Sequence, residues 1–329
     1  MKVLFTSVGR RVELIQEFRR AASELNIELI IIGADITSDA PALCFCDETQ
    51  IVCRIKDKNY IPQLLAICES NEVDCLIPTI DTDLLLLAEN KKRFEEIGAK
   101  VLISAVDKVR LCRDKNYTAD YFVSLGLKSP LPVNSVGKFV QMMERGEVSF
   151  PAFIKPKDGS SSVNAFRVDN LDDLKLYADK IEDYIIQPYI SGREYTIDIF
   201  CDYEGNPVYI TPRERLAIRA GEVLKTRITQ DDTMISEMLK LVADYKPCGQ
   251  ITVQLIQDDK TGDNYYIEIN PRFGGGAPLS IKAGANSAKA VLKMLKGERL
   301  PYQEKAARDG AIYSRFDQSI CINEGQTNV

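Results

Sequence analysis

The 329-residue sequence predicts an α/β chain whose first part is an open parallel sheet with helices on both faces. Three observations carry this. Strand and helix patterns alternate over residues 1 to about 112. The run Leu29-Ile-Ile-Ile-Gly33 is apolar throughout, as expected of a strand buried on both faces. The chain is also too long for one small core, so two or three domains are expected.

In order, residues 3–6 read as a short apolar strand, and 11–22 as a helix with Val12, Ile15 and Phe18 near one face. Helix 61–70, strand 75–77, helix 84–96 and strand 101–103 continue the alternation. Ligands of such sheets sit at the carboxyl ends of strands. The first turn there is Thr6-Ser-Val-Gly-Arg-Arg11. Ser7 and the N–H groups entering the helix suit an anion, with Arg10 or Arg11 as its partner. The plainer alternative is a solvated turn whose arginines cover the helix. The turn lacks the G-x-G-x-x-G spacing, which weakens a dinucleotide reading. Asp35, Asp81 and Asp83 lie at similar strand ends, and Asp81 reads equally well as the cap of the next helix.

A helix is expected to begin near Arg113-Asp-Lys115, capped by Asp114. Residues 150–156 form a strand carrying Lys155. Asp158-Gly-Ser-Ser-Ser162 follows, a loop of small residues able to close over phosphates or simply to turn a hairpin. It lacks the Walker spacing. Residues 184–190 are an apolar strand broken by Pro188, and Glu194 opens the strand 195–200. Such a break exposes backbone for a base edge, and the carboxylate suits ribose hydroxyls. Strand 207–211 leads into a basic run with Arg213, Arg219, Lys225 and Arg227, expected as a solvated hairpin unless it neutralises phosphate. Their individual roles are left open. Helix 235–244 and strand 251–257, carrying Gln254, come next.

Tyr265-Tyr-Ile-Glu-Ile-Asn-Pro-Arg-Phe-Gly-Gly-Gly276 follows. Strict alternation puts Tyr265, Ile267 and Ile269 on one face and Tyr266, Glu268 and Asn270 on the other. Gln254 is expected to meet Glu268 on a neighbouring strand. Pro271 ends the ladder, Arg272 offers a phosphate fork, and the glycines let backbone approach an anion. A carboxylate beside amide oxygens suits Mg²⁺ held partly by substrate phosphates. Beyond Pro278 a helix pattern runs to residue 296, and the last twenty residues suggest a late strand and a tail.

Bulk properties narrow the chemistry. The formal charge of −6 argues against a general nucleic-acid binder. Nine scattered cysteines fit reduced thiols; Cys44 and Cys46 have no second pair to complete a zinc set. No apolar run is long enough to span a membrane, and Met1-Lys-Val-Leu-Phe is expected to begin a strand and not a signal peptide, so a cytoplasmic location is expected. The sequence has no histidine, which excludes a histidine base or metal ligand. Carboxylates, Lys, Arg, backbone amides and a bound metal remain, and these suffice for phosphoryl transfer.

The succession Asp114-Lys115, Ile154-Lys155-Pro156 with its glycine loop, the 187–190 connector with Gly192-Arg-Glu194, Gln254, and Glu268-Ile-Asn-Pro-Arg272 resembles a single ATP-grasp unit of the carbamoyl-phosphate-synthase-like branch, behind its usual companion domain. The resemblance covers roughly residues 1–300. It implies an N-terminal Rossmann-like domain over 1–112, an ATP-grasp lid subdomain over 113–190 and a core subdomain over 191–329. It also implies ATP and Mg²⁺ (or Mn²⁺) as cofactors. Lys115 and Lys155 would contact phosphates, with Lys155 also catalytic, and Ser160 and Ser161 would lie in the lid loop. Gln187, Tyr189 and Ile190 would line adenine, Glu194 would hold ribose, and Gln254 would belong to both nucleotide and metal sites. Glu268 and Asn270 would complete the metal set, and Arg272 would stabilise the transferring phosphoryl group. Ser7, Arg10, Arg11, Asp81 and Gly275 are the candidates for substrate.

The implied activity is an ATP-dependent carboxylate–amine or carboxylate–thiol ligase acting on a small carboxylate and a nucleophile. A homodimer is left open. The chain has one such unit where carbamoyl-phosphate synthase large subunits have two, which removes support for the full synthase reaction. Carbamate or bicarbonate phosphorylation, and a non-catalytic ATP-binding regulator, are the alternatives.

Overall fold

The fold is taken from a computed structural model that describes residues 1–157 and 164–322. The first part comprises β1 (Lys2–Thr6), α1 (Val12–Glu24), β2 (Ile30–Asp35), β3 (Glu48–Ile51), α2 (Tyr60–Ser70), β4 (Cys75–Pro78), α3 (Leu84–Glu96) and β5 (Lys100–Val101). The strands form one parallel sheet in the order β3-β2-β1-β4-β5. Leu4, Ile32 and Leu76 face α2 and α3, while Val3, Phe5 and Ile31 face the other core. That two-sided burial is why residues 29–33 carry no polar side chain. The alternation did not reveal β3, because Glu48-Thr-Gln-Ile51 is a largely exposed edge. The strand order reverses between β1 and β4, so the turns after these two strands bound a crevice.

Helices α4 (Val106–Arg113), α5 (Lys115–Ser124) and α6 (Val136–Glu144) lead into a three-stranded antiparallel sheet. The Asp114 carboxylate caps α5 by accepting from the Asn116 N–H at 2.8 Å, as its position predicted. The small sheet contains β6 (Ala152–Pro156), β7 (Phe166–Val168) and, after α7 (Leu171–Ala178), β8 (Tyr184–Pro188), ordered β7-β6-β8.

The remaining elements are β9 (Gly192–Cys201), β10 (Pro207–Arg219), β11 (Glu222–Ile228), α8 (Asp232–Tyr245), β12 (Gly249–Asp258), β13 (Asn264–Asn270), α9 (Ala277–Ala283), α10 (Ser287–Leu295) and β14 (Ile312–Ser314). Their strands form an antiparallel sheet in the order β13-β12-β9-β10-β11-β14. Two departures from the expected pattern matter. Strand β10 runs through the basic segment to Arg219 and does not stop at Thr211. The helix expected from Pro278 to residue 296 breaks at Gly284, whose φ of +124° few side chains tolerate.

Helices α9 and α10 do not stay with the strands that precede them. Ala277, Ile281, Ala288, Val291 and Leu292 share one core with Val3, Phe5, Phe18 and Ile31. Phe273 carries the chain across: its ring lies 5.9 Å edge-on from Phe18, which in turn meets Phe5 at 5.0 Å. Full burial of such a ring contributes about 1.5–3 kcal/mol. The loop after β13 is thereby fixed over the crevice between β1 and β4.

Candidate active site

Strands β9, β10, β12 and β13 present one polar floor. Gln254 pairs in register with Glu268 across β12 and β13. Its Nε2 donates to Glu268 Oε1 at 2.6 Å, and Asn270 Nδ2 donates to the same oxygen at 3.0 Å. Strict alternation did not survive on β13. Glu268 pairs with Gln254 but Tyr266 pairs with the adjacent Leu255, which leaves Ile267 as the extra residue of a β-bulge. Tyr266 therefore enters the core with Ile269, where alternation had set them on opposite faces. The bulge leaves Glu268 and Asn270 side by side.

Arg215, singled out by no sequence argument, lies at the centre of this floor with a side chain only 9% exposed. Its Nη1 donates to Glu194 Oε2 at 3.2 Å and to Gln254 Oε1 at 3.0 Å, and its Nη2 donates to the Gly221 carbonyl at 2.7 Å. A guanidinium only donates and a carboxylate only accepts. Gln254 must therefore turn its oxygen to Arg215 and its NH₂ to Glu268. Burial pushes the Arg215 pKa below its ordinary value, with Glu194 opposing. The period-two spacing of Arg213 and Arg215 was the signal that could have placed both on one strand face.

Two lysines stand beside the floor. Lys155 on β6 is pushed down to about 8 by burial; the Glu268 charge opposes that shift and Lys115 adds to it. Lys115 donates to the Lys157 carbonyl at 3.1 Å, and Lys157 pairs with the cap residue Asp114 at 3.1 Å. These contacts join α5 to the end of β6. Gln187 is buried and donates to the Pro130 carbonyl, so its side chain is committed to the segment between α5 and α6. Arg167 stacks 4.7 Å over the Tyr189 ring. Tyr189 and Ile190 are half-buried, and Glu194 is exposed at the head of β9. Ser160, Ser161 and the expected lid loop lie outside the described residues.

The second half of the site is the crevice at the strand-order reversal. Asp81 does not cap α3. The residue at that position is Asp83, and Asp81 instead accepts from Arg272 Nη2. The cap reading failed because a partner 191 residues away outcompetes local backbone donors. Asp83 is fully buried, accepts from Thr6 Oγ1 and the Tyr60 hydroxyl at 3.0 Å each, and is raised by burial to about 6. Thr79 donates to the Ser7 carbonyl at 2.7 Å, holding Ser7 at φ +52°. Arg11 donates to Glu222 Oε1 at 3.4 Å and to the Thr79 carbonyl at 3.5 Å, both long contacts. Burial lowers its pKa, and the neighbouring Arg272 charge lowers it further. Glu222 also accepts from Arg315 at 3.2 Å. Ser7, Arg11, Asp81, Arg272 and Gly275 thus line one crevice, whereas Arg10 is exposed.

The glycine run is explained by close approach. A Cβ on Gly275 would fall 2.8 Å from Arg11 Nη1, and one on Gly276 would fall 2.7 Å from Arg213 Nη2. Arg213 corrects the expectation of a solvated basic hairpin. It is 1% exposed and donates from Nε and Nη2 to Asp198 at 2.7 and 3.3 Å. Thr252 and Ser280 donate to the same carboxylate at 3.2 and 2.6 Å. Only the outer part of the hairpin is solvated: Arg219 pairs with Asp317, Arg227 with Glu214, and Lys225 is exposed.

Residues 3–102 match the family described as PylC-like, N-terminal domain, and residues 180–318 match the family described as ATP-grasp in the biosynthetic pathway with Ter operon. A carbamoyl-phosphate synthase of Methanobrevibacter smithii is 29% identical over 313 residues, covering 91% of this chain and 81% of that protein. The chain is similar to ATP-grasp enzymes. A D-alanine–D-alanine ligase of Francisella philomiragia is 26% identical over 194 residues, 55% of this chain and 63% of that protein. Among solved structures, the biotin carboxylase domain of Hydrogenobacter thermophilus 2-oxoglutarate carboxylase, in complex with MgADP, ADP and bicarbonate, superposes with a TM-score of 0.72 at 19% identity. That match covers 94% of this chain and 73% of the other. The expected fold, a parallel α/β part followed by ATP-grasp sheets, is borne out. No helix among the described residues is long and apolar enough to cross a membrane.

Proposed function

We propose that this chain is an ATP- and Mg²⁺-dependent ligase that activates a substrate carboxylate as an acyl phosphate for attack by an amine or another nucleophile. One observation carries the reading: Glu268, oriented by two amides and facing the depressed Lys155, lies on the strand that runs into Arg272 and the crevice. The division at about residues 112 and 190 is kept as part of the proposal.

In the first step a substrate carboxylate oxygen attacks the γ-phosphorus, the bond to the β-phosphate oxygen breaks, and ADP leaves. In the second, the nucleophile attacks the acyl carbon, inorganic phosphate departs with the bonding pair, and the nucleophile loses a proton. Lys115, Lys155 and Arg272 offset charge on the phosphate oxygens. Glu194 takes ribose, and the 187–190 connector takes the base. Among the described residues no three acidic or cysteine side chains could hold an ion alone. One carboxylate beside amides nevertheless fits Mg²⁺ that arrives with phosphate ligands. Glu268 and Asn270 would hold it, and Gln254 would join them only by giving up its acceptor contact with Arg215. The ion supplies charge neutralisation at the phosphates.

The test is ADP release across carboxylic acids paired with amines or thiols. ADP formed only when an acid is present supports the ligase. ADP formed with bicarbonate alone favours the second reading, phosphorylation of bicarbonate or carbamate, to which the carbamoyl-phosphate synthase similarity lends weight. Failure of MgATP to bind at millimolar concentration would sink both.

Lys155 makes the nucleotide site pH-dependent. Without ligand its ammonium loses its proton near pH 8, and bound phosphate restores it. Nucleotide binding is therefore expected to take up about one proton at pH 8.5 and none at pH 6.5, measured by calorimetry in buffers of different ionisation enthalpy. Affinity should fall as pH rises through 8. Lys155→Arg, which stays charged, should abolish the uptake.

The crevice is assigned to an anionic group of the acceptor, held by Arg11 and Arg272 with Ser7, Asp81 and Gly275 around it. Arg11→Ala is expected to lower substrate-dependent turnover about 10- to 100-fold while ATP affinity stays within about twofold. The exposed Arg10 should tolerate alanine. Normal substrate kinetics in Arg11→Ala would place the acceptor elsewhere.

A further inference from the structure

We propose that Arg215 is a positioning residue that couples the nucleotide floor to the acceptor crevice. The inference rests on the ligase reading above and assigns a residue that reading did not need. Arg215 makes three contacts that belong to different parts of the site. Nη1 holds Glu194 and Gln254, both on the nucleotide side. Nη2 holds the Gly221 carbonyl. Gly221 belongs to the two-residue turn Ala220-Gly221, where φ is +50° and +77°, between the paired residues Arg219 and Glu222. Two positive φ values match the tight hairpin turn whose twist suits the strands it joins. The turn therefore moves as a unit with Glu222.

Glu222 is the next link. Its two carboxylate oxygens accept from Arg11 and from Arg315 across the crevice. The path from Glu194 and Gln254 through Arg215, Gly221 and Glu222 to Arg11 is continuous in hydrogen bonds and covalent bonds. Its only weakly held members are at the ends. Glu194 has a side chain 45% exposed, and Arg11 has only long contacts.

The direction of coupling follows from atom use. Arg215 engages Glu194 Oε2, which leaves Oε1 for ribose hydroxyls. A bound nucleotide fixes Glu194 without displacing Arg215, and its phosphates add negative charge near a buried guanidinium. Both effects hold Arg215 more firmly on Gly221, and hence hold Glu222 on Arg11. Nucleotide binding then orders the acceptor crevice before the acceptor arrives. By linkage, an acceptor held at Arg11 tightens nucleotide by the same factor.

Hydrogen exchange on the intact chain with Mg²⁺ and a non-hydrolysable ATP analogue tests this. In the unmodified protein, exchange should slow at residues 186–194, where the nucleotide binds, and by about threefold or more at 219–224 and 8–12. Arg215→Met should still bind at saturation, seen as slowing at 186–194, but leave 219–224 and 8–12 unmoved. Arg215→Lys, unable to reach three partners, should restore at most part of the response. A residue that only braced the fold would raise exchange with or without nucleotide and leave the response intact. Should Arg215→Met fail to fold, Glu222→Met serves, since it leaves Arg11 no acceptor there: 219–224 should still respond and 8–12 should not. Undiminished slowing at 8–12 in either test variant, or no slowing at 219–224 and 8–12 in the unmodified protein, overturns the coupling. No slowing at 186–194 in the unmodified protein overturns the nucleotide reading itself.

Discussion

Glu268→Gln is expected to reduce ATP turnover by about 10³-fold or more at saturating Mg²⁺, and Glu268→Ala by at least as much. Glutamine keeps an oxygen that can accept from Gln254 and Asn270, so the floor should retain its shape. What it loses is the charge that would face the metal and the phosphates. A second readout does not depend on turnover. Glu268 is the group that holds Lys155 up against burial. In Glu268→Gln the ammonium should lose its proton below pH 8, and proton uptake on nucleotide binding should begin at correspondingly lower pH. Near-normal turnover with either variant would remove Glu268 from the metal site.

Asp198→Ala is expected to cost about 3–5 kcal/mol of stability, because it strands the buried Arg213 without its counter-charge. Asp198 accepts four hydrogen bonds, two from Arg213 and one each from Thr252 and Ser280. These tie β9, β10, β12 and α9 together beneath Gly276. The loss should appear as a lower urea midpoint by circular dichroism. Replacing both partners by apolar residues of similar volume, Asp198→Leu with Arg213→Met, should recover most of it, since an ion pair removed whole leaves no buried charge. A cost below about 1 kcal/mol for Asp198→Ala would show that water reaches Arg213.

The two arginines on one strand face have different roles. Arg213 is consumed by the fold, whereas Arg215, two residues on, faces the nucleotide floor. Composition and spacing treat them alike. Only the register of β9 against β10 and β12, which sets Asp198 beside one and Glu194 with Gln254 beside the other, tells them apart.

Signals that depend on near neighbours were legible in the sequence. The apolar run at 29–33 marks a strand buried on both faces, Asp114 caps its helix, and Gln254 meets Glu268, because side-chain period and backbone geometry act over a few residues. The ATP-grasp fold followed from the order of such pieces. What the chain does with partners far away in sequence was not legible. Asp81 reads as a cap until Arg272 is brought to it by Phe273 docking into the N-terminal core. The glycines at 275 and 276 read as a flexible turn until Arg11 and Arg213 pack against them. The bulge at Ile267 reverses the face of Tyr266 against a regular alternation, because the core of β12 and α5 offers that ring more burial than the pleat would. The sequence by itself determined which groups are available for chemistry: no histidine, one Glu-x-Asn-Pro-Arg strand end, and lysines on two separate elements. Tertiary structure decided which of them stand beside one another, because a charge's partner is chosen by distance in space and by how much water folding removes from around it.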